Sequence, residues 1–536
     1  MDLGTVLRWA ADRYPHRRAV GGPSPMTYAQ WDAHVNRLAH ALAGLGVRQG
    51  DHVVMSLSGG ERQASLHFAA QKLGAVAVPL SFRLSSDELA YCVADAGATL
   101  MITDESTAET AEAAERALAD QSLTDPPPVN RVMSGSAKDT TIERMALDQP
   151  STAPDVTVRD HDLSVMLYTS GTTGKPKGVP RTHSAEYHAS VAHLIQSGQS
   201  RFDVTLGVMP LFHTMGLRTL IATVIGAGTW VPQARFDPGE AIELMRRERI
   251  TSLYLVPTMY WSLLRTGRLG EATGGATGGA KGEATSVRKL AYAGAAMTPA
   301  LAGELAEALH PESFVNHLGS TEIYTFTIGP DVVAKPGSAG RAGVFSQVRL
   351  VSPHPGADPD DLVEPGELGQ LAVSMRSPEA FAGYWRRPDA DAKSIRGGWY
   401  FPGDLAVADE DGDLRVEGRV DDMINSGGEN IYPDDIEDAL IRCPAVNEVV
   451  VVGLEDDRWG QAVTAFFVPA VGRAPGDATA ALQEYAREQS GLPSVKRPKR
   501  YIAVAEIPKS AVGKLLRRQL RSGGYDALAD SSGGPA

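Results

Sequence analysis

Residues 163–178 read LSVMLYTSGTTGKPKG, and this stretch decides the fold. An apolar, β-prone run from Leu163 to Tyr168 delivers a loop of small and hydroxylated residues that carries two lysines. Glycine lets a backbone turn tightly and brings its N–H groups close to a ligand. Ser170, Thr172 and Thr173 add hydroxyl donors, Gly171 and Gly174 add freedom to turn, and Lys175 and Lys177 add positive charge. That is the chemistry needed to hold a polyphosphate. A Walker A loop wants a glycine five residues before its Gly-Lys pair and a Ser or Thr straight after it. Thr169 and Pro176 occupy those places, which excludes P-loop kinases and GTPases. A plain Gly/Ser/Thr turn is the competing interpretation of such composition.

Outward from the loop the chain keeps a β-α-β rhythm. Tyr28 to Gly44 has apolar positions at helical spacing and a Gly stop. Asp51–Leu57 and Ala75–Pro79 are expected strands flanking a helix at Arg62–Lys72. This predicts an α/β fold with layers around a largely parallel sheet. Residues 121–160 are Pro-rich and polar and read as surface loop. The rhythm resumes with an apolar run at Val204–Met209, a helical or buried Leu217–Ile225 and a buried strand at Thr251–Val256. Residues 267–286 are Gly/Ala/Thr-rich with no apolar face, a flexible surface insertion. After a hairpin-like end at Gly412–Gly418, a second, smaller α/β pattern begins. It has helices expected at Ile436–Ile441, Ala480–Gln489 and Leu515–Leu520, and strands at Glu448–Gly453, Val463–Val468 and Tyr501–Ala505. The expected division is a large multi-layer N-terminal domain of α/β sheets (1–420), a small mobile C-terminal α/β domain (421–522) and a disordered tail (523–536).

With 536 residues the chain exceeds what one compact core organises. No apolar run approaches the ~20 residues of a membrane span. The first residues lack the basic-then-apolar plan of a secretory signal. Two cysteines, Cys92 and Cys443, suggest a reduced, cytoplasmic protein without disulfides, and no Cys/His cluster has zinc spacing. A net charge of −14 argues against nucleic-acid binding. Positive charge for a polyanion must therefore be local. It occurs at Lys175/Lys177 and in the run Lys496-Arg497-Pro498-Lys499-Arg500, which on its own is a solvated patch.

The wording of 163–178 resembles the phosphate loop of the adenylate-forming superfamily: acyl- and aryl-CoA ligases, stand-alone adenylation domains and luciferases. Further motifs follow in that family's order from about residue 25 to residue 520. The resemblance implies ATP, Mg²⁺ and coenzyme A as cofactors and co-substrates, with 169–177 (Thr169 included) cradling the phosphates. Pro210-Leu211-Phe212-His213-Thr214-Met215-Gly216 resembles the segment whose histidine lines the acid pocket, which makes His213 a candidate for positioning the acid or the thiol. Asn316-His317-Leu318-Gly319-Ser320-Thr321-Glu322 resembles the Tyr-Gly-x-Thr-Glu segment. By that likeness Thr321 bonds the adenylate phosphate, and Glu322 holds Mg²⁺, which takes hard oxygen ligands. Asn316, Gly319, Ser320, Gly294 and Ala295 complete the nucleotide site. Leu318 departs from the family, which usually has an aromatic there to stack on adenine; its contact is apolar only.

Gly398-Trp399-Tyr400-Phe401-Pro402-Gly403-Asp404 resembles the segment whose aspartate accepts hydrogen bonds from both ribose hydroxyls. Pro402 replaces the usual Thr and removes a hydroxyl and a backbone donor. Arg419 matches a contact to ribose or phosphate, and Asp421 the hinge between domains. The glycine-rich Asn425–Pro433 loop (Ser426, Gly427, Gly428) matches the lining of the pantetheine tunnel. Pro508-Lys509-Ser510-Ala511-Val512-Gly513-Lys514 places the catalytic lysine at Lys514, not Lys509. Its role would be to bridge the attacking carboxylate and the α-phosphate.

Within the superfamily the downstream motifs are most similar to bacterial aryl-CoA ligases of the 4-chlorobenzoate type. Asp457-Arg458-Trp459-Gly460-Gln461 and the 496–500 run carry that likeness, which implies CoA contacts from Trp459, Arg497, Lys499 and Arg83. The implied acid pocket is walled by His213, Met215, Ala293, Gly294, Ala295, His317, Gly319 and Tyr324. Small residues there make room for a flat ring, while His317 and Tyr324 add hydrogen-bonding capacity. The expected partner is thus a small aromatic carboxylic acid. No lysine or arginine is evident in this set to pair with a second carboxylate, so dicarboxylates are not expected. A carrier protein acting in trans is the alternative thiol acceptor, and luciferase-like oxidation and a non-catalytic nucleotide binder are further alternatives. No nucleic-acid or membrane partner is expected. Oligomeric state stays open, a homodimer included.

Overall fold

The computed structural model describes residues 1–120, 130–135, 141–169, 175–269, 286–354, 356–426, 429–509 and 515–528. By its contacts the chain divides into two compact units. One is Met1–Val348 with Val373–Tyr400, and the other is Arg349–Ala372 with Phe401–Ala536.

The first unit is built on two sheets. Among the described residues one has nine strands, ordered Arg341–Ala342, Thr327–Gly329, Ser313–Leu318, Lys289–Ala293, Ser252–Leu255, Val204–Gly207, Thr229–Pro232, Arg18–Val20 and Met26–Thr27. Its middle, from Ser313–Leu318 to Arg18–Val20, is parallel. The other has six, ordered Asn130–Met133, Leu100–Thr103, His52–Ser56, Val76–Leu80, Leu163–Thr169 and Lys177–Thr182. It is parallel up to the closing hairpin of the last two.

Parallel strands must be covered on both faces, so they read as apolar runs, and His52–Ser56 and Val76–Leu80 are buried at every position. One core fills the space between the sheets. It takes Val53, Met55, Ala77 and Val165 from one sheet, Val20 and Trp230 from the other, and Leu7, Trp31, Phe68 and Leu220 from helices between them. A second core lies under the helices Pro238–Glu248, Pro257–Arg265 and Pro299–Leu309. A third lies under Ser86–Ala96. The unit is therefore layered α/β/α/β/α. The helix Tyr28–Gly44 has the limits its sequence predicts, and Thr27 and Gln30 close it with a reciprocal capping box.

Residues 121–160 are not all loop. Asn130–Met133 is an edge strand and Ile142–Ala146 a short helix. Val132, Ile142 and Ala146 are buried in the main core, and Arg131 is tied to Glu112 and Glu115. With so few inward positions, neither element carries a readable period. The insertion expected at 267–286 falls, for 270–285, outside the described residues.

In the second unit Asp404–Ala408 and Leu414–Arg419 form a hairpin, with Leu368–Gln370 paired on its other side. The expected boundary at 420 falls where that hairpin runs into the 3₁₀ turn Val420–Asp422. A second sheet follows: Glu429–Ile431, Ile424–Ser426, Gly460–Pro469 and Val446–Asp456, with Arg500–Ala503 added in parallel to Gly460–Pro469. The helices Pro433–Leu440 and Pro475–Glu488 cover it through Ile436, Leu440 and Leu482.

Candidate active site

The phosphate-loop strand and its return strand place Thr169 opposite Lys177 at the mouth of a hairpin. The tip residues Ser170, Gly171, Thr172, Thr173 and Gly174 lie outside the described residues. The stem is fixed by Tyr168, whose hydroxyl donates to Asp95 at 2.7 Å. Lys175 is exposed and sits 4.9 Å from the centroid of Tyr91, while Lys177 sits 4.1 Å from that of Tyr384.

Tyr384 links this lysine to the expected metal ligand. Its hydroxyl donates to Glu322 Oε1 at 2.6 Å, and Glu322 is only 6% exposed. Burial first, then the Glu322 charge, pushes the Tyr384 phenol far above its ordinary range, so it stays a donor throughout the working pH range. The Phe381 amide donates to the Glu322 carbonyl at 2.9 Å, and the Trp385 amide to the Gly178 carbonyl at 2.9 Å. Five residues thus fasten the carboxylate to the phosphate-loop hairpin. From below, Arg181 donates to the carbonyls of Thr321 at 3.1 Å and Glu322 at 3.2 Å, and its charge is met by Glu186 in a fully buried ion pair. The sequence reading missed this strut. Its signal was Phe381-Ala-Gly-Tyr-Trp: three aromatics around a glycine whose φ is +137°.

Among the residues expected at the nucleotide, Ala293 pairs with His317 across neighbouring parallel strands, bringing the Ala293–Ala295 corner beside the Asn316–Thr321 segment. Gly294 takes φ +88°, the left-handed turn that ends its strand. Asn316 donates to the Ser338 carbonyl at 2.9 Å, Leu318 is half-buried, and the Ser320 hydroxyl accepts from the Glu322 amide at 3.2 Å.

The residues expected to wall the acid pocket stand at a helix start and a strand end. His213 caps the helix Thr214–Ile225, and its Nδ1 accepts from the Met215 amide at 3.3 Å, which leaves the proton on Nε2. Gly216 and Gly319 are places of close backbone approach: a Cβ there would stand 2.2 Å from the Pro210 carbonyl and 2.1 Å from that of Tyr324. Met215, His317 and Tyr324 are buried. The Tyr324 hydroxyl already donates to Glu186 at 3.1 Å. Burial, then Arg218 and His193, hold the His317 imidazole well below its ordinary pKa, so it is neutral. No arginine was expected near this wall, yet Arg218 lies one turn beyond Met215 and donates to the Tyr324 carbonyl at 3.3 Å. A charged residue inside the run TMGLRTLIATVI was the available signal.

The second unit holds the remaining residues except Arg83. Asp404 and Arg419 face each other across the hairpin, with Arg419 donating to Asp404 at 2.7 Å and to the Pro402 carbonyl at 2.7 Å. Trp459 and Lys499 come together, the ammonium 5.4 Å from the indole centroid. Arg497, nearby in sequence, donates to the Leu492 carbonyl at 2.9 Å. Ser426 is buried in its strand. Gly427, Gly428 and Lys514 lie outside the described residues, as does the side chain of Asp421. Lys509 is paired with Glu448 at 2.6 Å. In the first unit Arg83 is exposed, its guanidinium 5.4 Å from the Phe82 ring.

The arrangement can bind a polyanion beside a hard carboxylate and present an acid to it. The family model described as AMP-binding enzyme matches residues 7–385, and that described as AMP-binding enzyme C-terminal domain matches 435–514. A feruloyl-CoA synthase from Amycolatopsis sp is 35% identical over 95% of this chain and 96% of its own length. A 4-chlorobenzoate–CoA ligase from Arthrobacter sp is 30% identical over 96% of this chain and 94% of its own. Among solved structures, o-succinylbenzoate coenzyme A synthetase from Bacillus subtilis in complex with ATP and magnesium ion superimposes with TM-score 0.80 at 28% identity, covering 96% of this chain and 98% of that one. No helix among the described residues is long and apolar enough to cross a membrane. The chain belongs to the AMP-binding, adenylate-forming enzyme family and is an ATP-dependent, AMP-forming CoA ligase.

Proposed function

We propose that the protein is an aryl-CoA ligase: it activates an aromatic carboxylic acid as its acyl-adenylate, releasing pyrophosphate, and passes the acyl group to the thiol of coenzyme A, releasing AMP. The observation that carries this reading is the Lys177–Tyr384–Glu322 arrangement, a phosphate-binding cation and a hard carboxylate one phenol apart. Glu322 suits Mg²⁺, whose charge would weaken the repulsion between carboxylate and ATP. Lys177 would bind phosphate, Thr321 the α-phosphate and His213 the acid or thiol. Lys514 would neutralise charge as the mixed anhydride forms. Asp404 and Arg419 would hold the ribose, and Trp459, Arg497, Lys499 and Arg83 the CoA nucleotide. Between the half-reactions the small domain would turn about Asp421, exchanging Lys514 for the pantetheine tunnel. The small residues Ala293, Gly294, Ala295 and Gly319, together with the aryl substrates named for both relatives, support a flat acid. A cytoplasmic location fits two free, buried cysteines.

Mass spectrometry tests this directly, with enzyme, ATP, Mg²⁺, CoA and a panel of benzoates, hydroxybenzoates, cinnamates, naphthoates and medium-chain fatty acids. Aryl-CoA with AMP is the expected result. Fatty acyl-CoA in its place would overturn the aromatic assignment. Acyl-adenylate without acyl-CoA would move the acceptor to a carrier protein in trans.

A further inference from the structure

Arg218 is 2% exposed and lies five residues beyond the His213 cap, on the helix that carries Met215. Its Nη1 donates to Thr325 Oγ1 at 2.8 Å and to the Tyr324 carbonyl at 3.3 Å, and its Nη2 donates to the Tyr254 hydroxyl. Its Nε meets no acceptor, and no carboxylate among the described residues pairs with it directly. The neighbouring buried guanidinium differs: Arg181 has Glu186 as an ion-pair partner. Neutral acceptors satisfy some of the Arg218 donors but do not cancel its charge, and a buried unpaired charge is costly to keep.

A second unfilled valence lies beside it. His317 is 2% exposed, its Nε2 meets Ser197 Oγ at 3.2 Å, and its Nδ1 has no partner. Its ring centroid is 5.3 Å from that of Tyr254, whose hydroxyl Arg218 holds, and 5.4 Å from that of His193. Glu379 is also fully buried near the two arginines, and Arg218 is the larger of their pulls on its charge. Met215, His317 and Tyr324, three of the residues expected to wall the acid pocket, stand on the elements that carry this cluster. Within this cluster Arg218 Nε, on a cation, and His317 Nδ1, on a neutral imidazole, lack partners, as do both carboxyl oxygens of Glu379.

We propose that Arg218, with Tyr254 and His317, is the specificity determinant of the acid site. It would receive a second oxygen function, hydroxyl or carboxylate, borne by the substrate at the end remote from the reacting carboxyl group. The inference rests on the acid-pocket assignment above. It replaces the expectation that the pocket lacks a cation.

The test uses the full chain, wild type and Arg218→Met, with benzoate, 4-hydroxybenzoate, cinnamate, 4-hydroxycinnamate and benzene-1,4-dicarboxylate. It follows AMP and aryl-CoA, with KM and kcat for each acid and KM for ATP. Wild type should prefer the oxygenated acids. Arg218→Met should raise their KM about tenfold or more relative to benzoate and cinnamate, because a site built to bond an oxygen leaves its own groups unpaired when that bond is lost. Arg218→Lys should recover part of the preference. The hydroxyl and dicarboxylate members show which oxygen function is taken. Tyr254→Phe, which removes only an oxygen, should move the same ratio in the same direction if Arg218→Met does not fold. No wild-type preference, or equal losses across all five acids, overturns the proposal. Failure of wild type to form AMP with any of these acids would instead remove the aryl-acid reading.

Discussion

At the scale of single residues, Tyr384 is the side chain whose loss should be most informative. Tyr384→Phe keeps the ring beneath Lys177 and removes the donor to Glu322. A hydrogen bond to a charged group contributes about 1.5–3 kcal/mol, so the Mg²⁺ dependence of pyrophosphate release should shift about tenfold to higher Mg²⁺. An unchanged Mg²⁺ titration would remove the positioning role. Glu379 makes a pH prediction. Burial outweighs Arg218 and Arg181 and raises its pKa to about 7, against an ordinary 4.5. The native protein therefore binds this proton more tightly than the unfolded chain does. The stability from this group is full below pH 4.5 and is lost as pH rises through about 7. Relative to Glu379→Gln, wild type should lose on the order of 3 kcal/mol between pH 4.5 and 8, read from denaturant midpoints. A constant difference across that range would count against it. The sequence named the groups that motifs carry, such as Glu322 and His213. It was silent on Tyr384, Glu379 and the Arg181–Glu186 pair, because their meaning lies in contacts distant in sequence, such as Tyr384 with Glu322, 62 residues apart, and Arg181 with Thr321, 140 apart.

At the scale of elements, the helix that starts at His213 shows what pattern does and does not reveal. Its apolar run announced a buried segment. The tightness of its first turn did not show, since a glycine's lack of Cβ matters only once the opposing backbone is in place. At Gly216 that backbone is the Pro210 carbonyl, 2.2 Å from where a Cβ would stand. Gly216→Ala must push the turn away, and overpacking of this kind costs about 1–3 kcal/mol. A fall in thermal midpoint of a few degrees, with KM for the acid rising more than KM for ATP, is the expected result; a neutral substitution would contradict the geometry. Strands such as His52–Ser56 were legible because burial on both faces demands unbroken apolar sequence. The edge strand Asn130–Met133 was not, having one fully buried residue among four.

At the scale of the whole molecule, the 3₁₀ turn at Val420–Asp422 is the place to test domain movement. Asp421→Pro restricts the backbone there. It should leave acid-dependent pyrophosphate release near wild type while slowing aryl-CoA formation at least tenfold. Equal loss of both half-reactions would count against a hinge. The layering has a different consequence. The helix Glu61–Lys72 lies in the core between the sheets, and ten of its residues are buried, including Gln63, His67 and Lys72. It has almost no solvent face, and the layer that covers it includes Trp230, about 160 residues later in the chain. At roughly 5–20 residues per second of translation, the nascent chain leaves that side of the helix uncovered for about 10–30 s. During that interval the ribosome carries a helix whose side toward the second sheet has nothing to pack against. Yield in a cell should therefore depend on chaperones that meet the chain before its second sheet has been synthesised.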